Sequence, residues 1–567
     1  MLSDLSEKRM HTVRWVIWLA WMLLIVSLFY DPVSAALTHP DSSWSPLADP
    51  AIAIANNPAQ CVNVQNYCIL LTPYPIGTRV FWGMVVPSAI FVVLVFGHEF
   101  WRRICPLYFF SQFPRAIGEK LGFGPLLKIE SNQWLQRNHF YVQFVLFYLG
   151  ITGRILLVNS VRPATAILFI TTMLAAAVVV ALYGGRSWCH YVCPFGMVQT
   201  VFTGPRGLLD SQAHRAAPYS ITQSMCRSGD SSSIDQNGSD QSACISCKSA
   251  CMDIDSEQSY WQQMHQPGRQ LVQYGYLGLV VGYFCYYALY AGNFRYYFSG
   301  VWSHEKGAIA SLSKPGFYLL GHAINIPKLV AAPLTLATFA MLSYGCCKAL
   351  ERFYRGYLKQ QAARTATSID PTLGRHRAFS LCTFLAFNIF FIYGGRPELN
   401  NLPLAVQLAF QALIGMVSSL WLYRTWYRSP QQYEQERTAS TRRRSLKKLP
   451  LDFANLLPNR TLDDLSAQEV ELLAQTLPQV VKPDISIAST PVVPLPRTQL
   501  KRSGSSRHAP KPQVLKAPIP KTQISKTQAS KIQASKTQAS KPQSSQTQAR
   551  PDVPTTGLPL TRIRKRR

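Results

Sequence analysis

Seven of the 13 cysteines in this chain fall in two polar, partly basic stretches, at spacings that metal ligands use. The run ACISCKSAC gives Cys244-x2-Cys247-x3-Cys251, and Cys226 upstream supplies a fourth thiol. Four thiolates, several from one tight turn and one from a distance, are what a cubane iron–sulfur cluster needs. Four cysteines also make the closed tetrahedral site of structural zinc, which is the competing reading. The other three thiols stand in Cys-Pro settings: Cys189-x3-Cys193-Pro194 in GGRSWCHYVCPFGMVQT, and Cys105-Pro106 in GHEFWRRICPLYFFSQ. Aligning the two Cys-Pro pairs sets Gly97 against Gly185 and Trp101 against Cys189, the pattern of a degenerate duplication whose first copy has lost its leading cysteine. One four-iron cluster uses four of the seven thiolates. Cys105, Cys189 and Cys193 remain for a second, whose fourth ligand is then not a cysteine; His190 and His98 are candidates, since imidazole replaces thiolate in some clusters.

The elements that must position these thiols are apolar. A bilayer core about 30 Å thick needs roughly 20 apolar residues in a helix, and eight segments approach this, near residues 13–30, 78–97, 140–157, 163–183, 271–291, 330–347, 378–394 and 404–424. The expected fold class is therefore an all-α polytopic membrane protein of about eight transmembrane helices, with irregular cysteine-rich loops and a disordered C-terminal tail. Val33-Ser34-Ala35 resembles a signal cleavage site, but the long first run and the seven after it favour an uncleaved anchor. Four regions follow: 1–77, an anchor helix and outer loop; 78–260, a core with the Cys-Pro motifs and the four-cysteine loop; 261–427, further spans; and 428–567, a basic tail.

The formal charge is +29, and more than half of that excess lies beyond Arg424. The rest sits in alternate loops, around Lys8 and Arg9, Arg102 and Arg103, and Arg352 and Arg355, which by the positive-inside rule puts both termini in the cytoplasm. In the tail, 461–477 has near-helical apolar spacing, and beyond it comes a five-residue repeat of the KTQAS kind. Such composition buries too little apolar surface to offset its ordering entropy. A basic tail of this kind pairs with anionic membrane lipid, and no aromatic or structural motif points to nucleic acid.

On this topology the seven ligand-spaced cysteines all fall in cytoplasmic loops, where thiols stay reduced. Cys61 and Cys68 fall on the opposite side, in CVNVQNYC, and are read as a disulfide. Cys285, Cys346, Cys347 and Cys382 lie in or beside spans and are read as small core hydrophobes. No phosphate loop, nucleotide fingerprint or Ser/His/Asp arrangement is visible, so the chain reads as an electron carrier or oxidoreductase subunit, not as a stand-alone enzyme.

Over residues 78–260 the chain resembles the membrane iron–sulfur proteins of the NapH and NosR type, which bear Cys-x3-Cys-Pro motifs at the ends of transmembrane helices. It departs from them in the incomplete first motif and in Cys251, which no proline follows. The resemblance implies ferredoxin-like [4Fe-4S] clusters that pass electrons between the quinone pool or a soluble donor and a partner redox protein of ferredoxin, flavodoxin or reductase kind. It implies a bacterial plasma membrane or an internal photosynthetic one. The rival expectation is a redox- or metal-sensing regulator or assembly scaffold.

Overall fold

A computed structural model of the chain describes residues 7–447 apart from 40, 43–44, 46–61, 71, 122–126, 128–131, 185–186, 210–254, 304, 306, 366–369 and 401. Cys61, Cys226, Cys244, Cys247 and Cys251, the expected helix at 461–477 and the repeat tail lie outside the described residues.

Apolar runs become helices because no water is available in a bilayer to satisfy open backbone. The long ones are α1 (Glu7–Phe29), α2 (Val86–Ile104), α4 (Gln133–Gly153), α5 (Arg162–Tyr183), α9 (Lys328–Thr365), α10 (Pro371–Tyr393) and α11 (Leu404–Trp426). Among the described residues seven helices are long and apolar enough to cross a membrane, one fewer than the sequence leads one to expect. The segment that falls short is 271–291. It is helical, but as a π turn (Leu271–Gly275) followed by α8 (Tyr276–Ala291) of only 16 residues, and it is buried along most of its length. Gly278 and Gly282 stand one turn apart on the face toward α9, where a Cβ on Gly278 would run into the Phe339 carbonyl. This small-xxx-small face lets the two backbones touch. Leu19 and Leu23 of α1, Leu174 and Val178 of α5 and Leu408 and Met416 of α11 stay exposed, an apolar belt that suits lipid.

Polar side chains set where helices begin. Asn132 accepts from the Leu135 N–H at 3.0 Å to start α4, and Asp370 accepts from the Thr372 N–H at 2.8 Å ahead of Pro371 to start α10. Two hairpins, β1 (Val62–Val64) with β2 (Tyr67–Ile69) and β3 (Pro315–Leu319) with β4 (His322–Pro327), sit at the end of the bundle where α8 finishes. Each turns through two residues of positive φ, Gln65 and Asn66 in one and Leu320 and Gly321 in the other, which matches the twist of the strands. That end is called the far end below. The end where α4, α8 and α10 begin is called the basic end.

At the basic end two chain segments turn back alongside the helices they leave. α2 breaks at Gly97 (φ 74, ψ −175), and α5 stops at Gly184 (φ 71, ψ 179), two nearly identical backbone states in a region that only glycine occupies readily. After Gly97 a helical stretch leads to Cys105, whose N–H donates to the Trp101 carbonyl at 3.0 Å. After Gly184 a π turn (Trp188–Val192) leads to Cys193, whose N–H donates to the Trp188 carbonyl at 2.7 Å. Both cysteines are extended (φ −63, ψ 117 and φ −54, ψ 120), the backbone that a following proline favours, and both are followed by a helix with proline at its first position. These helices are α3 (Pro106–Ser111) and α6 (Pro194–Thr203). The duplication is real in backbone terms, but its register differs from the sequence alignment by one residue. Gly97 corresponds to Gly184, Trp101 to Trp188, and the extra residue is absorbed by the π turn that holds Cys189. An alanine at Gly97 or Gly184 should cost about 2 kcal/mol for the forced backbone, read as a lowered thermal midpoint in detergent. Gly150→Ala in α4, where nothing lies within 4 Å, should be neutral or stabilising.

Candidate metal centre

The turn-backs place three of the sequence-predicted ligands inside the bundle, not in loops outside it. Ser187 Oγ donates to the Val179 carbonyl at 3.3 Å, so the chain after Gly184 climbs beside α5, and Cys193 packs against Ala176 and Val180. On the other copy Leu107, just past Cys105-Pro106, packs against the cluster of Phe169 and Met173. Cys105, Cys189 and Cys193 line one cavity of about 1250 Å³ together with residues of α1, α2, α4, α5 and α8. Cys193 is buried, and Cys105, half-buried, lies within its electrostatic reach. Each of these two thiols stands at the N-terminal cap of a helix.

Close packing fixes the pair of apices. The Trp101 ring lies 5.0 Å from Phe195, tying one copy to the other. Gly196 lets α6 sit against the π turn, since its Cβ would lie 2.6 Å from the Cys189 carbonyl oxygen, and Gln143 of α4 donates to the His190 carbonyl at 3.0 Å. The break at Gly97 takes α2 out of its regular ladder, and the carbonyls just ahead of it are bonded from elsewhere. The Leu208 and Leu209 N–H groups donate to Leu94 O and Val95 O at 2.9 and 2.8 Å. The rings of His98 and His190 stand 6.4 Å apart, so both imidazoles considered as a fourth ligand belong to the same region.

Among the described residues no three His, Cys, Asp or Glu side chains converge as a single ion would require. A four-iron cubane is ligated at its corners, so its thiolates stand wider apart. Three thiols lining one apolar cavity supply three of the four donors that such a cluster takes. Among the described residues the cavity offers thiol sulfur and no carboxylate, a donor set that suits a soft metal better than a hard cation.

The same cavity reaches Arg154, which sequence reasoning missed, although an arginine inside the apolar run ITGRILL is itself a signal. Its guanidinium lies 3.8 Å from the Trp82 ring and 4.8 Å from the Tyr283 ring, and its Nε donates to Asn159 Oδ1 at 3.1 Å. Asn159 Nδ2 donates to the Tyr287 hydroxyl, which shares a hydrogen bond of 2.9 Å with Tyr283.

The four-cysteine segment lies outside the described residues, but both its flanks are held at one place. Arg206, after α6, meets Glu257 of α7 (Ser256–Gln263) at 2.7 Å and Glu436 of α12 (Pro430–Lys447) at 2.9 Å. Arg428 closes the square on Glu257 at 2.8 Å and on Glu436 at 2.6 Å, and Tyr433 donates to Asp255 at 2.7 Å. Burial pushes the Glu257 carboxyl up to about 7, with the Arg206 guanidinium drawing it back down. At the far end Cys68 is disulfide-bonded.

A family model described as a 4Fe-4S binding domain matches residues 165–210, which span α5, the Gly184 turn, Cys189, Cys193 and α6. No curated protein and no solved structure matches the chain. The match supports an iron–sulfur cluster and an electron-transfer role, and the seven apolar helices are compatible with a multi-pass membrane protein. Removing one partner of a buried charged square leaves its neighbours uncompensated, so Glu257→Ala should lower stability by about 3 kcal/mol, measured as the thermal midpoint of the detergent-purified protein.

Proposed function

We propose that the protein is a membrane-bound electron carrier that takes electrons from a quinol in the bilayer and delivers them, through iron–sulfur centres, to a redox partner at the basic end. One observation carries this reading: the three thiols Cys105, Cys189 and Cys193 and the polar pair Arg154 and Tyr283 line a single apolar cavity. In this reading the three thiolates, with His190 or His98, hold one cluster, and Cys226, Cys244, Cys247 and Cys251 hold another. A bound cluster supplies one-electron exchange at a potential that burial and hydrogen bonds to sulfur adjust.

The chain's own residues do the rest. Arg154 and Tyr283 orient the oxygen of a quinone headgroup, and Tyr287 and Asn159 continue the hydrogen-bond chain from that oxygen. Quinol oxidation releases two electrons, taken one at a time by the clusters, and two protons, which the Tyr283 and Tyr287 hydroxyls would relay and water would finally accept. Apolar walls keep water from competing for those bonds. Basic residues at the end where the four-cysteine segment is anchored favour docking of an acidic ferredoxin or flavodoxin. The NapH and NosR type of electron transfer between quinol and reductase follows the same outline. Cys61 is the partner proposed for Cys68.

Protein purified without oxygen should be brown, contain iron and acid-labile sulfide, and be bleached on addition of a short-chain quinol. Zinc without sulfide would contradict this reading. An iron–sulfur chromophore that no quinol reduces would favour the sensor or scaffold. Arg154→Leu should raise the KM for the quinol about tenfold and leave the iron content unchanged, measured by stopped-flow bleaching and metal analysis.

A further inference from the structure

Away from the cavity, two thiols face each other across a pair of helices. Cys347 of α9 and Cys382 of α10 bring their sulfur atoms to 3.7 Å, although 35 positions separate them in the chain. Cys382 is buried, Cys347 is half-buried, and Cys346 beside it is exposed. A turn further along α9 stands a polar hub. Glu351 accepts from the Tyr274 hydroxyl at 2.8 Å and the Arg375 guanidinium at 2.9 Å. Lys348 also follows directly, so the thiols lie at the polar rim of the basic end, where a water-borne reagent can approach from the Cys347 side.

Core thiols that merely fill space have no need to be matched sulfur to sulfur between two helices. A disulfide bond is about 2.05 Å long and joins side chains whose backbones are already close. Forming the bond requires the two sulfurs to close from 3.7 Å to that length by rotation about the Cα–Cβ bonds.

We propose that Cys347 and Cys382 form a reversible dithiol–disulfide couple, a redox site separate from the thiols of the cavity. The oxidant is a small disulfide. The Cys347 thiolate attacks one of its sulfurs, forming a mixed disulfide and releasing one small thiolate. The Cys382 thiolate then attacks the Cys347 sulfur of the mixed disulfide, closing the Cys347–Cys382 bond and releasing the second. The two protons of the cysteine thiols pass to the two released thiolates, and the two electrons reside in the small thiols. Excess small thiol reverses both steps.

The bond has a place to act. Thr383, next to Cys382, donates to the Val201 carbonyl of α6 at 2.8 Å and accepts from Gln273 at 2.8 Å. A covalent tie from α9 to α10 at this position constrains the residue that steadies the helix leading away from Cys193.

The test uses the full-length protein in detergent, purified without oxygen. It is treated with oxidised glutathione or with the small oxidant diamide, then denatured, alkylated and digested. The expected result is a cross-linked peptide joining α9 to α10, with most of Cys347 and Cys382 lost from the alkylated pool while Cys285 stays alkylated. Dithiothreitol should restore both. Cys346→Ser should leave the cross-link unchanged, and Cys382→Ser should abolish it. Full alkylation of Cys347 and Cys382 after both oxidants would overturn the proposal, as would a cross-link through Cys346.

Discussion

Proline biases the residue before it away from helical backbone, and the centre of this molecule follows from that bias being realised at Cys105 and Cys193. At Cys105 and Cys193 the proline ring favours extended backbone, the helical stretch behind each ends, and a new helix opens at once. The thiol is thereby left at an apex, among N–H groups with no partner in their own helix. The constraint has this effect only because the glycine turns at Gly97 and Gly184 first send the chain back along the bundle.

The two apices are not equivalent, and the difference lies in one residue. Between the glycine and the cysteine the second copy has one residue more than the first, and the π turn at Trp188–Val192 accommodates it. π turns of this kind often sit at functional sites, and this one, which holds Cys189 and His190, is tied to α4 by the bond from Gln143 to the His190 carbonyl. The missing cysteine of the first copy is therefore better described as an added residue in the second. Packing then does what covalent chemistry does not: Trp101 on Phe195, and Leu208 and Leu209 on the carbonyls near the break, join the copies into one unit.

Much of this was legible in the sequence. The apolar runs give the helices, with 271–291 the exception because its α-helical part is short and buried on most sides. The Cys-Pro pairs mark the helix breaks. What could not be read was direction: Gly97 in VFGHEF looks like a glycine within a helix, and nothing in the letters says that the chain turns back there. The three thiols were accordingly expected in loops outside the bundle. Arg154 carried a visible signal, a charge within an apolar run. The contact between Cys347 and Cys382 carried none, because it depends on how α9 and α10 meet.

The central claim is that Cys105, Cys189 and Cys193 hold a cluster of their own inside the bundle. Its most direct test is the iron and acid-labile sulfide content of a variant in which Cys226, Cys244, Cys247 and Cys251 are all serine. The account predicts that this variant, purified without oxygen, keeps roughly half of the iron and sulfide, and that adding Cys193→Ser removes the remainder. A quadruple variant free of iron and sulfide, yet folded with an unchanged thermal midpoint, would contradict it.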